Sequence, residues 1–255
     1  MKRFTFFLLS LIAATVIPQI AHAAERPHVV FMIGEKNYGT AQSLPAFAKE
    51  FLGDWKCTFV HADTNDPNHF PGLEALADAD LLVLSVRRRT PTKEQMTLIR
   101  RHLAAGRPLV GIRTASHAFG AKPPDANHVA WDTFDVDILG AAYARAHPDH
   151  PQTFVRASKT ALDHPGLKGV STEETRVISH LYKHRDLRRE AVPLVYGRVA
   201  EVARMEPVAW VNTADGRKVF YTSLGDVNDF KSPMFQRLLL NGIKWTLVRS
   251  TDGGK

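Results

Sequence analysis

Residues 108–117 read PLVGIRTASH, an apolar run that gives way abruptly to small and polar residues. The pattern predicts a buried strand over residues 108–112, followed by a tight turn and the start of a helix. An elbow of this kind presents one side chain above a parallel sheet, with the following backbone N–H groups directed toward whatever binds there. Arg113 occupies the position in which many enzymes carry a nucleophile.

Strand-like and helix-like segments alternate on both sides of this elbow. Such alternation is typical of a doubly wound α/β fold with a mostly parallel sheet, and further short strands are expected in the second half. The predicted strands are residues 28–33, 57–61, 80–86, 108–112, 153–157, 174–182, 194–199, 208–212 and 219–223. The predicted helices are residues 43–52, 73–79, 92–105, 130–139 and 233–248.

The N-terminus has the pattern of a secretory signal peptide. Lys2 and Arg3 precede an apolar run, and Ala21-His22-Ala23 places small residues at a cleavage position. We therefore expect cleavage after Ala23 and export to the periplasm or the extracellular space, with no stable membrane insertion afterwards; a retained membrane anchor is the alternative. One domain over residues 24–249 and a flexible tail over 250–255 complete the predicted organisation.

Composition excludes some classes of protein. The 255-residue chain is 44% hydrophobic, which is enough for a sizeable core. Its formal charge of +7 includes Lys2 and Arg3, and neither arginine-rich run is interleaved with aromatic residues, so we expect no nucleic-acid partner. Cys57 is the single cysteine, so no intramolecular disulfide can form. Nothing in the composition excludes a homo-oligomer.

Ligands of doubly wound sheets bind beyond the carboxyl ends of the strands, and these ends carry polar residues here. We therefore expect one crevice to be lined by residues from several strand ends. They are Glu35, Lys36, Asn37 and Tyr38 after the first strand, His61 and Asp63 after the second, Ser85 and Arg87 after the third, residues 113–117 at the elbow, and residues 223–226 after the last.

Several segments together resemble the ThuA-like (trehalose utilisation) family, a branch of the class I glutamine amidotransferase-like superfamily. The resemblance covers nearly all of the chain after the signal segment. The segments that carry it are GIRTASHAF at 111–119, WDTFDVDILGAAY at 131–143, His147-Pro148, His164-Pro165, YTSLG at 221–225, PMF at 233–235 and NGIKW at 241–245.

The resemblance implies a flavodoxin-like sheet and a link to carbohydrate metabolism. Glutamine amidotransferases carry a catalytic cysteine at the elbow, where this chain has Arg113, so the resemblance does not extend to glutaminase chemistry. Many ThuA-like proteins have a histidine after the final Leu-Gly, where this chain has Asp226. A role for that histidine therefore does not transfer.

Arg113 and His117 are the candidates with the most specific chemistry. A guanidinium beside a helix start suits a carboxylate, a phosphate or a developing oxyanion; the alternative is a buried arginine paired with Asp135, Asp137 or Asp226. His117 lies one turn further on and could transfer a proton near neutral pH. A structural or exposed histidine is its alternative.

Other candidates surround this pair. Glu35 and Asp226, at the ends of the first and last strands, are the carboxylates expected to act with His117 as acid or base; ordinary salt bridges are the alternative. Thr114 and Ser116 are expected to contact substrate, although small hydroxyls at a helix start are more often caps. Trp131 and Tyr38 are the remaining predicted substrate contacts.

Aromatic rings near a polar crevice suit the apolar face of a sugar. Trp131 and Tyr143 frame the predicted helix after the elbow; core packing is the favoured interpretation for Tyr143 and remains open for Trp131. No cofactor is predicted with assurance. A divalent metal is a weaker alternative, with His117, His147 and Asp226 as ligands, because no tight ligand spacing supports it.

These residues favour an exported protein that binds a sugar or sugar-derived small molecule and processes it by acid–base chemistry, as a lyase, isomerase or hydrolase. The first alternative is a carbohydrate-binding or accessory protein without catalysis, consistent with the missing cysteine. The second is a metal-dependent hydrolase. The substrate and the reaction are not fixed by the sequence.

Overall fold

Continuous apolar runs form the central strands of the sheet in the computed structural model of the chain, which describes residues 26–148, 151–200 and 202–248. The predicted signal segment and C-terminal tail lie outside these residues. The strands are β1 (His28–Gly34), β2 (Lys56–His61), β3 (Leu81–Val86), β4 (Leu109–Ile112), β5 (Ala142–Ala146), β6 (Thr153–Ala157), β7 (Thr175–Val177), β8 (Tyr182–Arg185), β9 (Val192–Val199), β10 (Glu206–Asn212) and β11 (Val219–Thr222). The α-helices are α1 (Thr40–Phe51), α2 (Lys93–Ala104) and α3 (Pro233–Leu247).

The main sheet has nine strands in the order β2-β1-β3-β4-β11-β10-β9-β6-β7. The first five are parallel neighbours, and the last four join them in antiparallel pairs. Strands β5 and β8 form a separate antiparallel pair. The predicted flavodoxin-like α/β class, with extra strands in the second half, is confirmed.

Alternate side chains of the central strands pack on opposite faces of the sheet. On one face, Phe31 and Val110 pack with residues of α1 and α3. On the other, Met32 and Leu84 pack with residues of α2. Both faces are therefore buried, which explains why these strands read as continuous apolar runs rather than as alternating ones.

Helix α2 agrees with the predicted helix over residues 92–105 to within one residue at each end. The Thr92 hydroxyl accepts a hydrogen bond from the Gln95 N–H at 3.3 Å, and Gly106 adopts a φ of 72° just after the helix. Thr92 is therefore the N-cap of the helix, and Gly106 is a left-handed residue that ends it. Within the described residues, no helix is long and apolar enough to cross a membrane.

The region between the elbow and β9 departs from the sequence prediction. The predicted helix over residues 130–139 is only one π-type turn, Asp135–Leu139, which ends at Gly140 with a φ of 91°. Tyr143, expected to frame that helix, lies instead on β5. The helix expected after the elbow is a single 3-10 turn, Arg113–His117, because Gly120 and Pro123-Pro124 leave no sequence that could extend it.

The predicted strand over residues 174–182 is also divided in two. Its first part is β7 in the main sheet, whereas Tyr182 begins β8 in the second sheet. The chain turns between them because the Asp229 carboxylate accepts hydrogen bonds from the backbone N–H groups of Ile178 and Ser179 and from the Ser179 hydroxyl. A partner 50 residues away in the sequence thus breaks the strand.

Candidate functional site

The elbow lies at the carboxyl end of β4, beside the ends of β3 and β11. Arg113 has a φ of 47°, a conformation that a residue with a side chain rarely adopts outside constrained turns. Gly111 permits close packing just before it, because a Cβ there would lie 3.0 Å from the Tyr221 ring. The backbone is therefore that of a strained strand-to-turn elbow, as the sequence predicts, with a guanidinium in place of a nucleophile.

Arg113 is buried, with 1% of its surface exposed. Its Nη1 donates to the Ser223 carbonyl at 2.8 Å, and its guanidinium lies 4.0 Å from the centre of the Tyr38 ring and 4.8 Å from that of Tyr182. No carboxylate of the described residues lies within ion-pair distance of it. The alternative pairing with Asp135, Asp137 or Asp226 is thus not formed.

Opposing effects act on the charge of Arg113. Burial lowers its pKa, but the electrostatic influence of Tyr182 and Tyr38, a hydrogen bond with Tyr38, and Asp229 raise it, and the net shift is upward. The guanidinium therefore stays charged inside an aromatic enclosure, where cation–π contact replaces an ion pair.

His117 lies at the other end of the 3-10 turn, and its ring stacks on Tyr143 with centroids 4.3 Å apart. Burial, followed by the positive charges of Arg88, Arg87 and Arg113, lowers the pKa of His117 to about 3. The imidazole is consequently neutral at pH 7, so it can accept a proton or a hydrogen bond but does not begin as an acid.

The Ser116 hydroxyl has two neighbours within hydrogen-bond distance, and one of them is this neutral imidazole. The Ser116 hydroxyl donates to the Arg113 carbonyl at 3.3 Å and also lies 3.2 Å from Nδ1 of His117. The roles of donor and acceptor between Ser116 and Nδ1 depend on the tautomer of the imidazole. In the tautomer with the proton on Nδ1, Nε2 carries the lone pair, and a ligand would meet it as an acceptor.

A small cavity opens beside His117. It has a volume of about 150 Å³ and is lined by Ser116 and His117, by the aromatic residues Trp131 and Tyr143, and by the carboxylates Asp132 and Asp135, among others. Arg113 is not among its lining residues. A larger surface cleft of about 310 Å³ lies at the opposite edge of the sheet, near Pro108 and Lys218, away from the elbow.

Trp131 is held at the cavity by two contacts. Its Nε1 donates to Asp137 at 3.0 Å, and the Arg100 guanidinium lies 3.9 Å from its ring centre. The indole is only partly buried. Trp131 therefore lines the cavity and also packs against the core, where its ring centroid lies 5.3 Å from that of Phe134.

Glu35 is buried at the end of β1 and makes four hydrogen bonds. Its Oε2 accepts from the N–H groups of Asn37 and Tyr38 at 2.6 and 2.7 Å. Its Oε1 accepts from the N–H and the hydroxyl of Thr40 at 2.9 and 2.6 Å. A carboxylate has about four acceptor sites, so Glu35 is saturated by the loop that it organises.

Asp226 also makes local hydrogen bonds. Its Oδ1 accepts from the backbone N–H and the side-chain amide of Asn228 at 3.0 and 3.3 Å. The neighbouring Asp229 is buried and accepts from the N–H groups of Gly225 and Asp226, in addition to its bonds with Ser179. Neither Glu35 nor Asp226 lines the cavity beside His117.

Thr114 is fully buried, and its hydroxyl has no hydrogen-bond partner within the described part of the chain. It is therefore not exposed to a ligand in this structure.

The residues named as alternative metal ligands do not form a metal site. No group of three or more His, Cys, Asp or Glu residues in the described ranges could hold an ion. His147 lies near Lys183, Arg145 and Arg204, and burial together with these cations lowers its pKa.

Three residues of this site are not predicted as site residues from the sequence. They are Tyr182, His184 and Tyr221. The Tyr182 hydroxyl donates to that of Tyr38 at 3.4 Å, and the Tyr221 hydroxyl donates to the Arg113 carbonyl at 2.8 Å. His184 is packed between Tyr221 and Trp210. The i, i+2 spacing of Tyr182 and His184 indicates a shared strand face, but not which sheet that strand joins.

The family model described as ThuA, trehalose utilisation, matches residues 28–246. The chain belongs to this family. A ThuA-like protein from Bacteroides uniformis superposes with a TM-score of 0.64 at 16% identity, covering 92% of this chain and 97% of that one. A protein described as a GMP synthase subunit, from Thermoplasma acidophilum, gives 0.51 at 13% identity, covering 86% and 96%.

The carbohydrate deacetylase Agd3 shares the fold over part of its length. It superposes with a TM-score of 0.59 at 14% identity, covering 87% of this chain and 32% of that one. Comparison with curated proteins finds no match. At these identities the structural neighbours establish the fold of this ThuA family member, and its chemistry must be argued from its own residues.

Proposed function

We propose that this ThuA family member binds one ring of a sugar or sugar derivative in the cavity beside His117 and processes it by acid–base chemistry. The observation that carries the proposal is the composition of that cavity. Trp131 and Tyr143 supply aromatic surface, while His117, Asp132 and Asp135 supply acceptors for hydroxyl groups. The family description and the carbohydrate chemistry named for Agd3 agree with this class of ligand.

The size of the cavity limits how much of a ligand it can hold. Its volume of about 150 Å³ is smaller than the ~300 Å³ at the lower end of typical ligand pockets. One sugar ring is the expected occupant, and the second ring of a disaccharide such as trehalose would extend into solvent.

His117 is the proposed proton acceptor, acting through Nε2. The Arg113 guanidinium acts on His117 electrostatically, because it is one of the cations that keep the imidazole neutral. Direct contact between Arg113 and an anionic oxygen of the ligand would require Tyr38, which is only partly buried, to move off the guanidinium.

Calorimetric titration with trehalose and with glucose tests the binding proposal. Replacing Trp131 with Ala should weaken binding about tenfold, since a stacked aromatic contributes about 0.5–1.5 kcal/mol beyond its buried area and 1.4 kcal/mol is one decade. Trp55→Ala is the matched control, because Trp55 is partly buried beside β2 and does not line the cavity. Equal affinity of the Trp131 variant and the wild type would refute the site.

Binding without catalysis is the second candidate function. It is favoured by the saturation of Glu35 and the local engagement of Asp226, which remove both predicted carboxylate partners of His117. Proton NMR of the sugar after incubation separates the two candidates. A new product supports catalysis, whereas an unchanged sugar that still binds supports the accessory role.

We also propose export, on the evidence of the N-terminal sequence. Mass spectrometry of the chain expressed with its full N-terminus should find a mature form beginning at Ala24. A cell-associated protein that retains Met1 would contradict cleavage and favour a membrane anchor.

A further inference from the structure

The wall of the cavity contains a carboxylate that is neither saturated nor paired with a cation. Asp135 is partly buried and lines the same cavity as His117. Its Oδ1 accepts one hydrogen bond, from the Val136 N–H at 2.8 Å, and its Oδ2 accepts one from the Tyr143 N–H at 2.7 Å. Each oxygen thus keeps a lone pair for a proton or a ligand hydroxyl.

The position of Asp135 is fixed by its backbone as well as by its side chain. Its carbonyl accepts from the N–H groups of Gly140 and Ala141, which closes the π-type turn. Tyr143 connects the two titratable groups, because its N–H holds the Asp135 carboxylate while its ring stacks on His117. The carboxylate and the imidazole are therefore held against one cavity by a common residue.

The surroundings of Asp135 raise its pKa above the usual value for an aspartate. Burial raises its pKa, the N–H groups of Tyr143 and Val136 lower it, the charge of Asp137 raises it, and the net shift is upward. The titratable groups around it are Asp137 on its own turn, Tyr143 on β5, Tyr221 on β11, and His117 and Asp132, which line the same cavity.

We infer that Asp135 is the proton donor that acts with His117 on a sugar bound in the cavity. This inference rests on the proposed function. His117 Nε2 takes a proton from a hydroxyl, a water or a carbon of the bound species, and Asp135 delivers its carboxyl proton to an oxygen of that species. One proton leaves and one arrives, so the ligand keeps its charge while His117 becomes imidazolium and Asp135 becomes carboxylate.

This step produces two opposite charges at the same cavity, an imidazolium at His117 and a carboxylate at Asp135. Imidazolium formation alone is unfavourable there, since Arg87, Arg88 and Arg113 all oppose it. The carboxylate that appears as Asp135 donates compensates for that cost. Exchange of protons with solvent, or the reverse transfer to the product, then restores both groups.

The first test needs neither a substrate nor a variant protein. Carboxyl carbon NMR of protein labelled at aspartate, with Asp135 assigned through bonds to its own backbone, should show Asp135 titrating above the exposed aspartates of the chain. A midpoint at or below that of exposed Asp163 would overturn the inference, whether or not any sugar binds.

The second test uses sugar turnover. With trehalose, glucose and N-acetylglucosamine as probes, Asp135→Asn should keep sugar affinity within about threefold and lower kcat about 10²–10⁴-fold, the usual contribution of a general acid. Asp135→Glu should recover part of the rate, and the exposed Asp163→Asn should match the wild type. The wild-type rate should fall as the pH rises through the pKa of Asp135, and the rate of Asp135→Asn should not show this decrease.

The outcomes separate the inference from the proposed function. If no probe binds to the wild type, the proposed function fails and the titration alone decides the protonation of Asp135. If a probe binds and is converted equally fast by Asp135→Asn with an unchanged pH profile, the inference fails and the binding proposal stands. Binding without conversion supports the accessory role and overturns proton donation by Asp135.

Discussion

Replacing His184 with Phe should remove a defined part of the acid sensitivity of folding, about 2 kcal/mol between pH 7 and pH 5. The His184 side chain is buried on β8, with ring centroids 5.0 Å from Trp210 and 5.5 Å from Tyr221. Burial lowers its pKa from 6.5 to about 3. The folded protein therefore keeps His184 neutral, whereas the unfolded chain takes up a proton as soon as the pH falls below about 6.5.

The magnitude follows from that difference in proton affinity. Each tenfold change in affinity is worth about 1.4 kcal/mol, so His184 lowers the free energy of unfolding by about 2 kcal/mol at pH 5, by about 4 kcal/mol at pH 3 and by about 5 kcal/mol well below pH 3. At pH 7 the imidazole is neutral in both states and contributes nothing to the pH dependence. The loss therefore begins near pH 6.5 and is complete only well below pH 3.

Urea unfolding at pH 7 and at pH 5 measures this effect. The free energy of unfolding of His184→Phe should change by about 2 kcal/mol less than that of the wild type between these two pH values. The control is His61→Phe, because His61 is exposed at the end of the edge strand β2 and should leave the wild-type difference unchanged. An equal pH difference for His184→Phe and the wild type would show that His184 is not held neutral, and the reasoning would fail.

Three further substitutions test the packing that supports the site, each by chemical denaturation. Gly242→Ala should cost about 1–3 kcal/mol, because the new Cβ would lie 2.6 Å from the Phe220 ring beneath α3. Glu35→Gln should cost about 1–3 kcal/mol, since an amide cannot accept all four hydrogen bonds that hold the loop after β1; no change would mean that the loop does not depend on them. Tyr221→Phe should cost about 1–2 kcal/mol through the lost hydrogen bond to the Arg113 carbonyl, and unchanged stability would contradict that bond.

The first half of the fold could be predicted from the sequence because its signals are local. Strand β3 is a buried apolar run, and α2 begins at a threonine cap and ends before a glycine. The second half could not be predicted in the same way, because its elements are set by distant partners. The break at Ser179 depends on Asp229, and the turn at Leu139 is held by the Trp210 indole, which donates to its carbonyl at 2.7 Å.

The candidate site likewise contains a part that local sequence predicts and a part that it does not. The elbow with Arg113 and the adjacent His117 follow from one short segment, and Tyr38, which follows β1, reaches Arg113 past the end of β3 at the same edge of the sheet. The roles assigned to Glu35 and Asp226 stay predictions that the geometry does not favour. A local signal existed for both, because a carboxylate followed two residues later by asparagine is typical of a side chain that accepts backbone N–H groups in a turn.

The strained elbow has a chemical consequence even without a nucleophile. The left-handed turn at Arg113 directs its carbonyl to two hydroxyls, those of Tyr221 at 2.8 Å and Ser116 at 3.3 Å. Ser116 also lies 3.2 Å from Nδ1 of His117, so the turn connects the Arg113 carbonyl to the imidazole. The guanidinium of Arg113 opposes protonation of that imidazole. The geometry that presents a thiol in the glutamine amidotransferases which the sequence resembles therefore places, in this chain, a guanidinium that helps to keep a histidine neutral.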